Sequence, residues 1–385
     1  MKKKLLFTMY DMNMNGAVLC LCDLLKLLDY SRFKAEIIVL KEYDPQVISM
    51  LPPEVKVSYI FRDNPYFDIG FLKGLKKCLK EKKKEYISAL IVNTLFRYIN
   101  TKHISKLKNS MRRVYVPEEK YDTAISFDEQ SFRYLKKINS DRKIVCYHYG
   151  EVCTMEDPDN KPYNFCDYVV AQCSQLKKDL AYKNKADEDK IKVIHNFFDN
   201  ENIKTKSEEF TVPKDTEYIF STCGRIIPLK RIDLIPLAAK ILIDKGITDF
   251  KWYVIGYPEK EKYMAPIMEN IKKTGTENHI VFTGKQMNPF PYIKASHIYV
   301  QTSNIDAWPR TVMEAMILGV PVLCTKTMGG QEQINPGVTG ELCETDSAED
   351  LAEKLIYMLN NYSIYNKDPK PVNNQEIMEE YYKIF

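Results

Sequence analysis

From one end to the other the chain repeats a single pattern, a short β-branched or apolar run followed by a segment long enough for a helix. That alternation is the mark of βα units, which assemble into parallel sheets covered by helices. In the first half the strands are expected at 5–9, 35–40, 55–60, 123–126, 144–148, 168–171 and 190–194, with an apolar helix over 17–28 that begins at Gly16. The pattern lapses over 197–213, where Asp199-Asn200-Glu201-Asn202 and a run of Lys and Glu read as a linker. It restarts with strands at 218–222, 252–255, 280–282, 298–301 and 320–325 and helices at 231–245, 309–318 and 348–360. Two such series predict an α/β protein of two Rossmann-like domains, residues 1–198 and 199–368, facing each other across a cleft. Lys367-Asp368-Pro369-Lys370-Pro371 reads as a second extended linker, so the tail 369–385 is assigned as a helix returning to the first domain. Ligands of open parallel sheets sit beyond the carboxyl ends of the strands, which makes the cleft the expected site.

A length of 385 residues, 45% hydrophobic, supplies two cores of ordinary size. The ten cysteines lie in apolar runs without paired CxxC spacing, which suits buried thiols in a reducing cytoplasm and not a disulfide framework or a zinc site. Met1-Lys2-Lys3-Lys4 precedes an apolar run too short for a signal peptide, and no stretch reaches the roughly 18 apolar residues of a membrane span. The net charge of +4 is unevenly spread: between Lys73 and Arg113 thirteen Lys or Arg face two Glu, leaving the remainder acidic. Phe71, Leu72, Leu75 and Leu79 interleave with those cations, and a basic amphipathic segment suits an anionic membrane surface. No recognition module accompanies the charge, so nucleic acid is not expected as a partner.

The most informative stretch is Ser303-Asn304-Ile305-Asp306-Ala307-Trp308-Pro309-Arg310-Thr311-Val312-Met313-Glu314, followed by Gly319 and Pro321. An apolar strand precedes it, Pro309 suits a first helical position, and Gly319 ends the helix. The unpaired N–H groups of the first turn, across Trp308, Pro309, Arg310, Thr311 and Val312, are expected to face the cleft and to favour phosphate. Asp306 before the helix and Glu314 within it flank that turn, one placed for sugar hydroxyls and the other for a ribose. Upstream, Gly224-Arg225 and Lys230-Arg231 follow the first strand of the second series and offer two cations to a diphosphate.

These blocks resemble family-four glycosyltransferases, which carry a Glu, seven residues and a second Glu, then Ala, Gly and Pro-Val; here Glu314-Ala315, Gly319 and Pro321-Val322 match. The sequence departs at Asp306, Ala307 and Trp308, and at Arg231, where the family has Gly, so the turn there is expected to differ. The resemblance implies the GT-B fold and a retaining, metal-independent transfer from a nucleoside-diphosphate sugar, UDP in preference to GDP. It places Arg225 and Lys230 on the departing diphosphate, Asp306 and the Ala307–Pro309 backbone on the sugar, and Glu314 on the ribose. Gly16, Gly224, Gly284 and Lys285 resemble loops around the donor phosphates and base, and His148 resembles a histidine near the donor sugar. The implied acceptor is a saccharide or polyprenyl-linked saccharide of bacterial surface glycan synthesis, at the inner face of the cytoplasmic membrane. His195 is read as structural, and Asp157-Pro158-Asp159 as a surface turn. A nucleotide-sugar epimerase of the same architecture and a non-catalytic donor-binding subunit are the alternatives.

Overall fold

The computed structural model describes residues 2–41, 43–59, 71–80, 87, 116–148, 164–365, 367–368 and 370–385. The first sheet is built from β1 (Lys3–Met9), β2 (Phe33–Val39), β3 (Lys56–Tyr59), β4 (Tyr121–Ser126), β5 (Ser140–Tyr147), β6 (Tyr168–Ala171) and β7 (Ile191–Val193), in the order β3-β2-β1-β4-β5-β6-β7. The second holds β8 (Tyr218–Cys223), β9 (Phe250–Ile255), β10 (Ile280–Gly284), β11 (Ile298–Gln301), β12 (Val322–Thr325) and β13 (Gly340–Cys343), in the order β10-β9-β8-β11-β12-β13. Every pairing is parallel. Strand order reverses beside β1 in one sheet and beside β8 in the other, and such reversals open the crevices that bind ligands.

Local chemistry starts and stops these elements. Helix Gly16–Leu27 begins where the Asn15 side chain accepts the Val18 N–H at 3.0 Å. As expected for a helix sandwiched between sheet and neighbours, Val18, Cys20, Leu21, Cys22, Leu24 and Leu25 are all buried. Asp23 is buried among them. One face of the first sheet packs Leu5, Phe7, Cys146 and Val170 with this helix, and the other packs Leu6, Val145, Val169 and Ala171. That second cluster also takes in Ala307, Trp308 and Met328 from the other sheet's loops.

Three sequence expectations need correction. The 197–213 stretch is not a bare linker, because helix Asn200–Lys206 forms within it, capped by Asp199 and buried through Ile203 against Phe198 and Ile317. One buried residue in seven leaves no 3.6-residue period to read. Helices Ser174–Asn184 and Ala265–Thr274 and strand β13 form in segments to which no element had been assigned. Arg231 keeps a left-handed backbone (φ 47°) despite its side chain, a conformation that costs an L-residue roughly 1–2 kcal/mol, and its guanidinium is held by Asp233 and Asp346. The turn therefore has the conformation a glycine takes most readily.

The tail returns as helix Asn374–Ile384. Lys370 N–H first bonds the Met316 carbonyl at 2.9 Å, and Met378, Tyr381, Ile384 and Phe385 then enter the core beneath β1. The Phe385 carbonyl accepts from Thr123 Oγ1 and Lys3 Nζ, both at 3.2 Å.

Candidate active site

At the reversal of the second sheet, the turns after β8 and β11 are stitched together. Thr302 Oγ1 donates to the Lys230 carbonyl at 2.6 Å, and Asn304 N–H to the Leu229 carbonyl at 3.0 Å. The outcome is an ion pair between Lys230 Nζ and Asp306 Oδ2 at 2.6 Å, with 26% and 14% of the side chains exposed. Gln301 Nε2 also donates to that carboxylate oxygen, at 3.3 Å. A cation and a carboxylate, 76 positions apart in sequence, thus stand at the point where open sheets bind ligands.

Helix Arg310–Ile317 starts immediately beyond, with Pro309 as a cap that carries no side-chain hydrogen bond. The helix therefore begins one residue later than expected. Its first-turn residues divide by role. Ala307 and Val312 are buried in the two cores, so only their backbone is available to a ligand. Trp308 lies flat on His195, centroids 4.1 Å apart and planes 16° apart. His195 Nδ1 stands 2.9 Å from the Gln172 carbonyl, and its Nε2 is 3.8 Å from Glu332. Glu332 also accepts from Ser174 N–H at 2.8 Å, capping a helix of the first domain from the second. Gly329 lets helix Met328–Gln333 pack close against the 306–309 turn, because a Cβ there would lie 2.3 Å from the Ala307 carbonyl oxygen.

Arg310 crosses to the first domain. It donates to Asp23 Oδ2 at 2.9 Å and to the Phe197 carbonyl at 2.9 Å, while its Nε stands 3.6 Å from Glu314 Oε1 and its guanidinium covers the Phe198 ring at 4.4 Å. Glu314 is only 5% exposed, and burial raises its carboxyl above the ordinary value while Arg310 pulls it down. Arg310, expected on the donor, is thus committed to protein partners, because a buried guanidinium needs carboxylates beside it. Gly16 abuts the same arginine: a Cβ there would touch Arg310 Cδ at 3.6 Å.

The remaining candidates lie around this centre. His148 follows β5, packs on Phe127 at 4.9 Å, and is held neutral by burial, which pushes its imidazole down to about 3. Arg225 pairs with Glu259 at 2.7 Å, apart from the Lys230–Asp306 pair, and both residues are exposed. Gly224 opens that turn after β8. Gly284 ends β10 in the left-handed region (φ 72°), and Lys285 stands 3.8 Å from Asp44 of the first domain. Asp157 and Asp159 lie outside the described residues, as does the basic stretch 73–113 apart from residues 73–80 and 87. Gln172 carries no mark in the sequence, whereas Asp23 shows as a lone carboxylate inside the apolar run Leu21-Cys22-Asp23-Leu24, and Glu332 closes the block Met328-Gly329-Gly330-Gln331-Glu332, part of the family likeness.

Residues 203–376, which carry this centre, match the glycosyl transferases group 1 family. They form a group 1 glycosyl transferase domain. The domain's curated relatives include the N-acetyl-alpha-D-glucosaminyl L-malate synthase of Bacillus anthracis, 27% identical over 52% of this chain and 52% of that protein. Another is the poly(ribitol-phosphate) alpha-N-acetylglucosaminyltransferase of Staphylococcus aureus, 28% identical over 44% of this chain and 34% of that protein. The chain spans about half or less of the length of these relatives. Among solved structures, an S. aureus TarM variant in complex with Fondaparinux, alpha-GlcNAc-glycerol and UDP matches at a TM-score of 0.68, with 15% identity and 99% of each chain covered. Anabaena HepE in complex with UDP and glucose matches at 0.63, with 18% identity over 94% of this chain and 91% of HepE. The group 1 domain and the first sheet together therefore have the GT-B fold.

Proposed function

We propose that the chain is a retaining glycosyltransferase moving a sugar from a nucleoside-diphosphate donor, UDP-linked, to a saccharide or lipid-linked saccharide of bacterial surface glycan synthesis. The observation that carries this reading is the Lys230–Asp306 pair at the sheet reversal, set before the N-terminus of helix Arg310–Ile317. Negative charge grows on a diphosphate as its sugar departs, and a preorganised cation with free N–H groups stabilises that charge. In this reading Lys230 exchanges Asp306 for phosphate when donor binds, Asp306 turns to the sugar hydroxyls, and Arg225 closes from Glu259 onto the diphosphate. Glu314 serves the ribose from within its pair with Arg310. No protein nucleophile and no metal are assigned. Asp306 and Trp308, where the family pattern is left, set the choice of sugar.

Helix Phe71–Lys80 supports a membrane-surface role: Leu72 and Leu79 are exposed beside Lys73, Lys76 and Lys80, while Gly74 and Cys78 are buried. No helix among the described residues is long and apolar enough to cross a membrane.

Incubation with UDP-sugars, with and without saccharide acceptors, tests the reaction. Wild type releases UDP and forms a product with the donor's anomeric configuration, in the presence of EDTA, and Lys230→Ala slows turnover by about 10²–10³-fold. An isomeric nucleotide-sugar with no UDP would instead identify an epimerase. Equal turnover by Lys230→Ala would remove the role given to that lysine.

A further inference from the structure

A diphosphate at the sheet reversal must compete with Asp306 for Lys230. The Asp306 side chain is 14% exposed, and its Oδ2 stands 2.6 Å from Lys230 Nζ. A carboxylate so shielded keeps its desolvation cost when its cation leaves. Drawing Lys230 onto phosphate therefore strands Asp306 unless another donor stays with it. Gln301 is that donor, since its Nε2 reaches the same oxygen at 3.3 Å.

The surrounding bonds fix Gln301 and Asp306 and leave Lys230 able to move. Gln301 ends β11 opposite Cys324 of β12 and is only 2% exposed. Alternation puts it on the face of Tyr299, which packs with Val312 and Ala315 of helix Arg310–Ile317. Tyr299 is itself anchored: its hydroxyl accepts from the Cys223 N–H at 3.2 Å and donates to the Cys223 carbonyl at 3.3 Å. The Asp306 carbonyl accepts the Gly329 N–H at 3.2 Å, and the aspartate side chain is one methylene shorter than the glutamate of the family pattern, so it has little reach with which to follow a departing cation. The Lys230 backbone is equally pinned, by Thr302 Oγ1 at its carbonyl, yet its ammonium rides on a flexible four-carbon stem. Only the lysine can change partners. Both donors fall on Oδ2, which leaves Oδ1 for a ligand.

We infer that Gln301 is a positioning residue that holds Asp306 Oδ2 while Lys230 passes to the donor's diphosphate. This rests on the transferase reading above. In the ligand-free protein Oδ2 has two donors, an ammonium and an amide. When donor binds, the ammonium moves to phosphate and the amide remains, so the carboxylate keeps one directed hydrogen bond and its orientation, with Oδ1 toward the sugar hydroxyls. Hydrogen bonds to a charged group are the stronger ones, so the amide lowers the cost of releasing the lysine and thereby tightens the diphosphate. The residue type suits this task. A glutamine offers N–H donors to the carboxylate and carries no charge with which to hold Lys230 back or to repel the phosphate.

The test is calorimetry with UDP on Gln301→Met, which keeps the side chain's length and removes its polar atoms, made in wild type, in Asp306→Asn and in Lys230→Ala. In the wild-type background the substitution is expected to weaken UDP by about tenfold. Asp306→Asn has no carboxylate to strand, and Lys230→Ala has no lysine to leave one. In each of these Gln301→Met is therefore expected to change UDP affinity by less than about twofold. A merely structural role would weaken UDP equally in all three backgrounds. Should Gln301→Met fail to fold, Gln301→Asn, which withdraws the amide by one methylene, takes its place in each. A folded substitution that leaves wild-type affinity for UDP unchanged overturns the inference, as does a loss repeated in the Asp306→Asn or Lys230→Ala background. A wild type that binds no UDP overturns the transferase reading itself, and this inference with it.

Discussion

Replacing Arg310 with methionine keeps much of the side chain's length and removes the charge that holds two buried carboxylates. Asp23 Oδ2 accepts from Arg310 at 2.9 Å, and Glu314 Oε1 lies 3.6 Å from its Nε. Deleting one partner of a buried pair costs about 3–5 kcal/mol, since the surviving charge keeps its desolvation penalty. Two carboxylates survive here, so the loss near neutral pH is expected in the upper part of that range. Burial already holds both carboxyls above their ordinary values of 3.8 and 4.5, with Arg310 pulling each back. Without the guanidinium both rise further, and the folded variant binds protons more tightly than its unfolded chain. Its stability therefore falls as pH rises above the unfolded carboxyl values and recovers on acidification toward them. Urea unfolding near neutral pH and about two units lower reads both effects, and the shortfall of Arg310→Met shrinks at the lower pH. Adding Asp23→Asn and Glu314→Gln removes the stranded charges and restores most of the loss. A deficit under about 1 kcal/mol, the scale of an exposed pair, or one that does not shrink on acidification, refutes this account.

His148 gives the opposite pH dependence. Its imidazole is pushed from 6.5 to about 3 by burial, so the unfolded chain binds the proton more readily and wild type loses stability as pH falls below about 6.5. His148→Gln removes that component and unfolds at a lower pH; superimposable acid-unfolding curves would contradict the burial. In Gly329→Ala the new methyl meets the Ala307 carbonyl at 2.3 Å, forcing the 306–309 turn or helix Met328–Gln333 to move. A loss of about 1–3 kcal/mol and a weaker thermal shift with UDP are expected, and an unchanged shift would show that the turn has slack.

The βα alternation was legible because each element carries its own periodic signal, and every strand expected from that alternation appears within a few residues of its place. What escaped were elements whose stability is not local. Helix Asn200–Lys206 depends on one isoleucine reaching Ile317, and β13 is four residues completed by its neighbour β12. The 303–321 block was legible for the same reason as the strands: a strand, a turn and a helix start lie consecutively in the chain. The partners of its side chains were not. Local spacing points Arg310 at the donor because its partner Asp23 stands 287 positions away, beyond the reach of any local pattern around the helix start. Arg225 and Lys230, five positions apart and of equal charge, took different carboxylates, Glu259 and Asp306. Local spacing by itself determined the two sheets and the turn from Asp306 to Glu314, since backbone hydrogen bonding and side-chain period act over a few residues. Only the tertiary structure decided which charges meet and which polar atoms find partners, because Coulomb attraction and desolvation act between groups that folding brings together from distant parts of the chain.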